Sequence, residues 1–173
     1  MDNLFCSFSG HRNIPPAAED PLRRVLMRRI GALAEEGFTG FLCGGALGFD
    51  MLAAEAVITV RAAVPELTLT LVLPCPGHDR GWSPGARARF RAVREAADKT
   101  VTVSPLYTRY CMLQRNRYLV DHSSRLVCYL TRDTGGTAYT VRYALKRGIP
   151  VENLAVDAGI ITDRETEDYK NGC

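Results

Sequence analysis

Short apolar runs alternate along nearly the whole chain with longer segments in which apolar residues recur every three or four positions. The runs predict strands over residues 4–8, 41–43, 67–73, 100–103, 126–130 and 151–154. The periodic segments predict helices over residues 21–36, 49–62, 85–97, 111–121 and 137–147. Continuously apolar strands are typical of a sheet that is buried on both faces, so the pattern predicts an α/β fold with a mainly parallel sheet.

The same pattern predicts the organisation of the chain. Nothing in it divides residues 1–156, so we expect them to form a single domain, followed by a polar tail over 157–173 that frays. Pro15 and Pro16 are expected to keep the residues after them out of a helix, which places the start of the first helix near Pro21.

Charge and the start of the chain narrow the function classes. The net charge is +3, from 22 basic and 19 acidic residues, which is too small to indicate nucleic acid or a membrane surface. The start Met1-Asp2-Asn3 lacks the basic segment of a signal peptide. No apolar run approaches the ~18 residues that span a membrane. We therefore expect a cytoplasmic protein with no membrane partner.

The cysteines agree with that location. Cys6, Cys43, Cys75 and Cys128 lie in or beside the predicted strands, where a thiol behaves as a small apolar group. No pair of cysteines has the C-x-x-C spacing of a zinc site. The sequence therefore predicts buried, reduced thiols and no metal site.

Two glycine-rich turns each lie between a predicted strand and a predicted helix. The first is Gly44-Gly45-Ala46-Leu47-Gly48-Phe49-Asp50, and the second is Asp133-Thr134-Gly135-Gly136-Thr137. A helix that begins directly after a strand presents free backbone N–H groups to an anion. In a parallel sheet both turns follow the carboxyl ends of strands and share one edge. The pair predicts a crevice for a phosphorylated, nucleotide-like ligand.

Three residues of these turns have two interpretations. Asp50 stabilises the start of its helix but repels a phosphate, so it either caps the helix or takes a ribose hydroxyl or a water. Thr137 either caps its helix or donates to a phosphate oxygen. Asp133 is either a turn residue or part of the site.

Side chains outside the turns leave similar alternatives. Arg12, at the end of the first strand, contacts a phosphate or forms a surface ion pair. His11 is a general acid or a hydrogen-bonded turn residue. Trp82 stacks on a base or covers the edge of the core. The arginines of two basic helices are typical of a solvated face, with nucleic-acid binding as the alternative; they are Arg23, Arg24, Arg28, Arg29, Arg87, Arg89, Arg91 and Arg94.

The motif Gly44-Gly45-Ala46-x-Gly48-x-Asp50, together with Asp133-x-Gly135-Gly136-Thr137, resembles the SLOG superfamily. That group includes the domain of DNA-processing protein A and the LOG-type phosphoribohydrolases. Three further segments are similar to its YpsA-like branch, namely Ser9-Gly10-His11-Arg12, the loop with Trp82, and Gln114-Arg115-Asn116-Arg117-Tyr118-Leu119-Val120-Asp121. The resemblance covers residues 4 to 154.

The resemblance implies one Rossmann-like, three-layer α/β/α domain that binds a nucleoside phosphate or an ADP-ribose-like ligand. No other cofactor is implied. Since LOG-type proteins form dimers, it also suggests a homodimer. The residues that this reasoning places at the ligand are Gly10, Arg12, Gly44, Gly45, Ala46, Gly48, Asp50, Trp82, Arg115, Asn116, Asp133, Gly135, Gly136 and Thr137.

One departure from the LOG pattern bears on catalysis. LOG-type enzymes carry P-G-G-x-G-T-x-x-E, whose glutamate serves hydrolysis of the N-glycosidic bond; the corresponding residue here is Thr140, and the proline is absent. Arg115 matches the arginine of the LOG group, so a phosphate-holding role carries over better than hydrolysis. Asp50 and Arg115 remain the candidate catalytic residues. The leading hypothesis is ligand binding, as in a sensor; the alternatives are an N-glycosidic hydrolase and a single-stranded nucleic-acid binding module.

Overall fold

The computed structural model describes residues 4–172, in which six strands alternate with six helices, and a seventh helix follows. Met1-Asp2-Asn3, which bears on the signal-peptide prediction, and Cys173, the last residue of the predicted tail, lie outside the described residues. The strands are β1 (Leu4–Gly10), β2 (Phe38–Cys43), β3 (Thr68–Leu73), β4 (Lys99–Thr102), β5 (Arg125–Tyr129) and β6 (Val151–Asn153). The helices are α1 (Pro16–Glu35), α2 (Phe49–Arg61), α3 (Pro84–Ala96), α4 (Cys111–Asp121), α5 (Gly136–Lys146), α6 (Leu154–Asp157) and α7 (Asp163–Asn171).

The strands form one sheet in the order β4-β3-β2-β1-β5-β6, and every neighbouring pair is parallel. The predicted Rossmann-like α/β fold is therefore confirmed. The chain builds β1 to β4 outward in one direction, then crosses back and places β5 on the other side of β1. The strand order thus reverses between β1 and β5, the position where sheets of this kind bind ligands.

Helices cover both faces of the sheet. On one face, α1, α2 and α3 pack against a large core that contains Phe8, Phe41 and Phe49, and the rings of Phe8 and Phe41 stack with centroids 5.8 Å apart. On the other face, α4 and α5 bury a smaller cluster around Leu126 and Cys128. This division follows the alternation of side chains along the strands and produces the three predicted layers.

Five cysteines of the described chain are free and buried, namely Cys6, Cys43, Cys75, Cys111 and Cys128. The prediction of buried thiols is thus confirmed for Cys6, Cys43, Cys75 and Cys128, from which it was made. Within residues 4–172, no helix combines the length and the apolar character that crossing a bilayer requires.

The prediction for the start of α1 is wrong. The helix begins at Pro16 and runs through Pro21, with Pro15 as its N-cap. Proline is tolerated in the first turn because its missing N–H has no partner there in any helix. The two prolines that were expected to delay the helix therefore open it.

The expectation that the tail frays is also wrong, because Asp163–Asn171 form α7. Thr162 caps this helix by accepting a hydrogen bond from Glu165 N, while the Glu165 carboxylate accepts one from Thr162 N at 2.8 Å. Asn153 Nδ2 donates to Thr166 Oγ1 at 3.1 Å and so attaches α7 to the end of β6. A capping box and a buried amide thus hold the last helix against the domain.

Candidate functional site

A cavity of about 330 Å³ lies at the carboxyl ends of β1 and β5, where the strand order reverses. The loop after β1 leads to a helix on one face of the sheet, and the loop after β5 leads to a helix on the other, which opens a crevice between them. The cavity is lined by Phe8, Ser9, Gly10, His11, Arg12, Asn13, Ala46, Asp50, Met112, Arg115, Asn116, Leu119, Arg132, Gly136 and Thr137.

The structure brings both glycine-rich turns to this one cavity, as the sequence predicted. Eight of the predicted ligand residues line it, namely Gly10, Arg12, Ala46, Asp50, Arg115, Asn116, Gly136 and Thr137. Five others shape the turns without lining the cavity: Gly44, Gly45, Gly48, Asp133 and Gly135. The remaining one, Trp82, lies elsewhere. Contact of these residues with a ligand stays a prediction.

The first turn depends on the absence of side chains. Gly48 has φ +76°, and a Cβ there would overlap the carbonyl of Arg12, which lies against it. Phe49 N donates to His11 O at 3.2 Å and so joins the start of α2 to the loop after β1. A Cβ on Gly44 would lie 2.7 Å from both Arg115 Nη1 and Asp50 Oδ2. Glycines are thus required here for close approach of the neighbouring chain.

Asp50 lies in the first turn of α2 and is 5 % exposed. Its Oδ2 accepts a hydrogen bond from Ala46 N at 3.1 Å, so it orders the glycine-rich turn that precedes the helix. Burial raises the pKa of Asp50 from its ordinary value of 3.8 to about 6, although Arg115, the Ala46 hydrogen bond and Arg12 oppose the rise. Asp50 therefore has a structural role at the start of α2. Its carboxyl group also lines the cavity and has a pKa of about 6.

Arg115, on α4, is 6 % exposed. Its Nη1 donates to Gly44 O, and its Nε donates to Asn116 Oδ1 at 2.9 Å. Burial lowers the pKa of Arg115, while the nearby Asp50 carboxylate opposes that effect. Within residues 4–172 no carboxylate oxygen lies within ion-pair distance of this guanidinium. A buried cation without an ion-pair partner faces the cavity.

Arginines elsewhere on the chain do have such partners. Arg89 binds Glu55 through two hydrogen bonds of 2.5 and 2.8 Å, and Arg23 reaches the same carboxylate at 3.1 Å. Arg29 binds Glu152 in the same bidentate way, at 2.6 and 2.7 Å. These contacts show that three arginines of the basic helices pair with carboxylates of neighbouring elements at the partly exposed surface.

The second turn leads into α5. Gly135, at φ +91°, is the N-cap of that helix, which has no side-chain cap. The first-turn N–H groups are therefore free to meet an anion at the cavity, where Gly136 and the buried Thr137 lie. Thr140, which replaces the LOG-type glutamate, is fully buried and donates to Gly136 O at 2.8 Å, so it supports the helix start and does not reach the cavity lining.

Trp82 does not reach the cavity. Its ring meets Phe90 edge to face at 5.6 Å between centroids and His78 at 5.3 Å. His78 Nε2 in turn lies 3.0 Å from Gly45 O. Trp82 therefore covers the edge of the core, and the base-stacking role that the sequence allowed has no support from its position.

Seven lining residues were not among those predicted at the ligand, and two of the seven, Arg132 and His11, have titratable side chains. Arg132 is exposed at the mouth of the cavity, and only its place before the second turn could have indicated it. His11 is 4 % exposed, and its Nε2 accepts a hydrogen bond from Thr131 N at 3.0 Å. Burial and the charge of Arg132 lower the pKa of His11 to about 4. His11 is therefore the hydrogen-bonded turn residue, and its lowered pKa favours the neutral ring at physiological pH.

A parallel sheet with an arginine-lined crevice at its reversal point places the chain in the class of Rossmann-like α/β proteins. The model of the YspA SLOG family matches residues 17–155, so the chain belongs to that family, the YpsA-like branch of the SLOG superfamily. The UPF0398 protein BH1768 of Halalkalibacterium halodurans is 30% identical over 149 residues, which cover 84% of this chain and 77% of the relative.

Solved structures share the fold. DNA processing protein A from Helicobacter pylori, whose single-stranded DNA binding has been described, superimposes with a TM-score of 0.61 at 17% identity, over 97% of this chain and 79% of that chain. The molybdenum cofactor binding protein from Rippkaea orientalis gives a TM-score of 0.56 at 18% identity, over 94% and 88%. At these identities the likeness shows the fold alone.

Proposed function

We propose that this protein binds a phosphorylated, nucleotide-derived small molecule, a nucleoside phosphate or an ADP-ribose-like compound, in the cavity between β1 and β5. The observation that carries the proposal is Arg115, a buried guanidinium that faces the cavity without an ion-pair partner in residues 4–172. A buried charge of this kind costs free energy unless an opposite charge compensates it. The nearby Asp50 carboxylate offsets part of that cost, and an anionic ligand would supply further compensation.

The other lining groups fit the parts of such a ligand. Arg12 and Arg132 are exposed at the cavity mouth, and the open helix start at Gly136 and Thr137 offers backbone and hydroxyl donors to a phosphate. Asp50 is the acidic residue of the lining, suited to a ribose hydroxyl. The volume of about 330 Å³ lies within the range of small-molecule sites.

The comparisons are compatible with a carrier or sensor that binds without turnover. One structural neighbour is described as a molybdenum cofactor binding protein, a small-molecule binder on the same fold. A cytoplasmic location belongs to the same proposal, since nucleotides are cytoplasmic metabolites and the buried thiols are reduced there. The homodimer stays a prediction.

Calorimetric titration with AMP, ADP-ribose and NAD tests the proposal. Arg115→Met should weaken the binding of a ligand ten- to a hundredfold, because a charge-assisted hydrogen bond contributes about 1.5–3 kcal/mol. Arg91→Met, on the exposed side of α3, is the matched control and should bind like the wild type. No binding of any of the three compounds at millimolar concentration would refute the proposal. Salt-dependent binding of a single-stranded oligonucleotide instead would favour the nucleic-acid alternative.

A hydrolase is the second candidate, favoured by the position and pKa of Asp50. A carboxyl group that titrates at about pH 6 inside a cavity is suited to proton transfer near neutral pH. In N-glycosidic hydrolysis it would take a proton from the attacking water as that water bonds to the sugar carbon and the base departs. Release of free base from nucleoside monophosphates measures this activity. An equal rate in Asp50→Asn would exclude Asp50 from the reaction.

A further inference from the structure

His11 follows β1, beside the cavity, and is held there by three neighbouring segments of the chain. Its backbone N donates to Tyr129 O at 3.3 Å, and its backbone O accepts from Phe49 N at 3.2 Å. Its ring meets Tyr129 edge to face at 5.8 Å between centroids, and ring Nε2 accepts from Thr131 N at 3.0 Å. Both the backbone and the ring orientation of His11 are therefore fixed by β5, by the loop after β5 and by the start of α2.

The contact with Thr131 also fixes the tautomer. A backbone N–H can only donate, so Nε2 carries a lone pair, and the proton of the neutral ring is on Nδ1. Among residues 4–172, Nδ1 has no hydrogen-bond partner. The fully buried side-chain nitrogen and oxygen atoms that lack a partner are Thr39 Oγ1 and Arg125 Nε. Since Nδ1 is not one of them, it is not fully buried. His11 is only 4 % exposed and is one of the residues that line the cavity, so the cavity is the route by which a ligand oxygen can reach the ring.

The ring differs in charge from the other nitrogen donors nearby. Arg12, Arg115 and Arg132 line the same cavity and are cationic, whereas the imidazole is neutral. An N–H group of a neutral ring donates to an oxygen without adding a charge. It also disfavours a ligand group that has only donors, because the two hydrogens would face each other.

We infer that His11 contacts the ligand directly, with its Nδ1–H donating to an acceptor oxygen of the sugar or phosphate, and that it selects ligands that place such an oxygen there. This inference rests on the proposed function. It assigns His11 two separable roles on two ring nitrogens: Nε2 orders the loop after β5, and Nδ1–H recognises the ligand. The arginines then attract the anionic ligand, and the imidazole distinguishes ligands that place an acceptor oxygen at Nδ1 from those that do not.

Two substitutions separate these roles. The side-chain oxygen of His11→Gln can occupy the place of Nε2 and accept from Thr131 N, but no donor remains at the place of Nδ1. The amide nitrogen of His11→Asn can occupy the place of Nδ1, but the acceptor for Thr131 is lost. We expect His11→Gln to bind ADP-ribose about tenfold more weakly than the wild type, while His11→Asn keeps more of the affinity and loses more stability. His122→Gln, on the exposed end of α4, is the control that leaves both unchanged.

Nitrogen NMR of histidine-labelled protein gives an independent measurement, because the chain has only three histidines and His78 and His122 serve as internal references. The free protein should show His11 with its proton on Nδ1, and ADP-ribose should shift that nitrogen while those of His122 stay in place. Binding that leaves Nδ1 unchanged, or equal affinity in His11→Gln, overturns the inference and leaves the proposed function intact. Absence of binding by AMP, ADP-ribose and NAD overturns both. Should the variants fail to fold, the wild-type NMR titration alone decides.

Discussion

Asp50 and His11 are expected to make opposite contributions to the pH dependence of stability. The pKa of Asp50 is raised from 3.8 to about 6 in the folded protein. The folded state therefore binds a proton more readily than the unfolded state, and Asp50 adds stability below pH 3.8 that is lost as the pH rises through about 6. The difference between the two pKa values corresponds to about 3 kcal/mol, of which about 2 kcal/mol separates about pH 4.5 from about pH 7.5.

His11 acts in the other direction. Its pKa is lowered from 6.5 to about 4, so the unfolded state takes up the proton first and stability is lost as the pH falls between these values. That loss is also about 3 kcal/mol in full. The two contributions nearly cancel in the wild type, which hides them from a single pH profile.

The substitution Asp50→Asn reveals the hidden contribution. The asparagine oxygen can still accept the hydrogen bond from Ala46 N, so the exchange removes the charge with little other change. We expect the variant to be more stable than the wild type by up to about 3 kcal/mol at about pH 7.5, with the difference shrinking by about 2 kcal/mol at about pH 4.5. Urea unfolding of both proteins at the two pH values measures this, since all other titrating groups cancel in the difference.

The stability of Asp50→Asn should also depend on pH differently from that of the wild type. With Asp50 gone, the loss from His11 is no longer offset, so the variant should lose stability on acidification where the wild type is nearly flat. A difference between wild type and variant that is the same at both pH values would show that the Asp50 carboxyl is solvated in the folded protein, and the argument from burial would fail.

Three further predictions concern the ligand, the last helix and the first turn. Affinity for ADP-ribose, whose diphosphate keeps its charge in this range, should rise severalfold by calorimetry from about pH 7.5 to about pH 5.5 as Asp50 is neutralised, and should stay level in Asp50→Asn. Asn153→Ala removes four hydrogen bonds of a buried amide and should lower the free energy of unfolding, measured with urea, by about 2–4 kcal/mol. Thr166→Ala removes only one of these hydrogen bonds and should lower it by about 1 kcal/mol. Gly48→Ala should lower the free energy of unfolding by about 3 kcal/mol or more, because the new Cβ would sit at a positive φ and overlap the carbonyl of Arg12. The control Gly31→Ala, in open space on α1, should raise the free energy of unfolding by about 0.5–1 kcal/mol. Equal effects of the two substitutions would refute the argument.

The sequence determined most of the fold because the apolar runs and the helical periodicity are local signals. Both glycine-rich turns were correctly placed for the same reason, since strand, glycine and helix follow each other directly. The start of α1 was mispredicted because proline has opposite effects inside a helix and at its first position. The capping box from Thr162 to Glu165 is legible in the sequence and would have predicted α7.

The site was only partly predictable, because several of its properties depend on contacts between distant segments. Asp50, at the start of α2, and the buried Arg115, on α4, come together at the cavity from helices on opposite faces of the sheet. The tautomer of His11 depends on Thr131, which is 120 residues away in the chain, and its lowered pKa depends on burial and on Arg132. Trp82 had no local signal to distinguish a ligand platform from a cover over Phe90, and only packing decided between them.

The reversal of strand order has a consequence for dissection of the molecule. One wall of the crevice comes from β1 and the first glycine-rich turn, and the opposite wall comes from α4, the loop after β5 and the start of α5, in the second half of the chain. A fragment that stops after β4 would contain Asp50 but neither Arg115 nor Thr137, so half a molecule has no site at all. If the chain were split between β4 and α4 and the two pieces were mixed, we expect ligand binding to return only when the pieces reassemble. Binding in the crevice would then report that the complete sheet has formed.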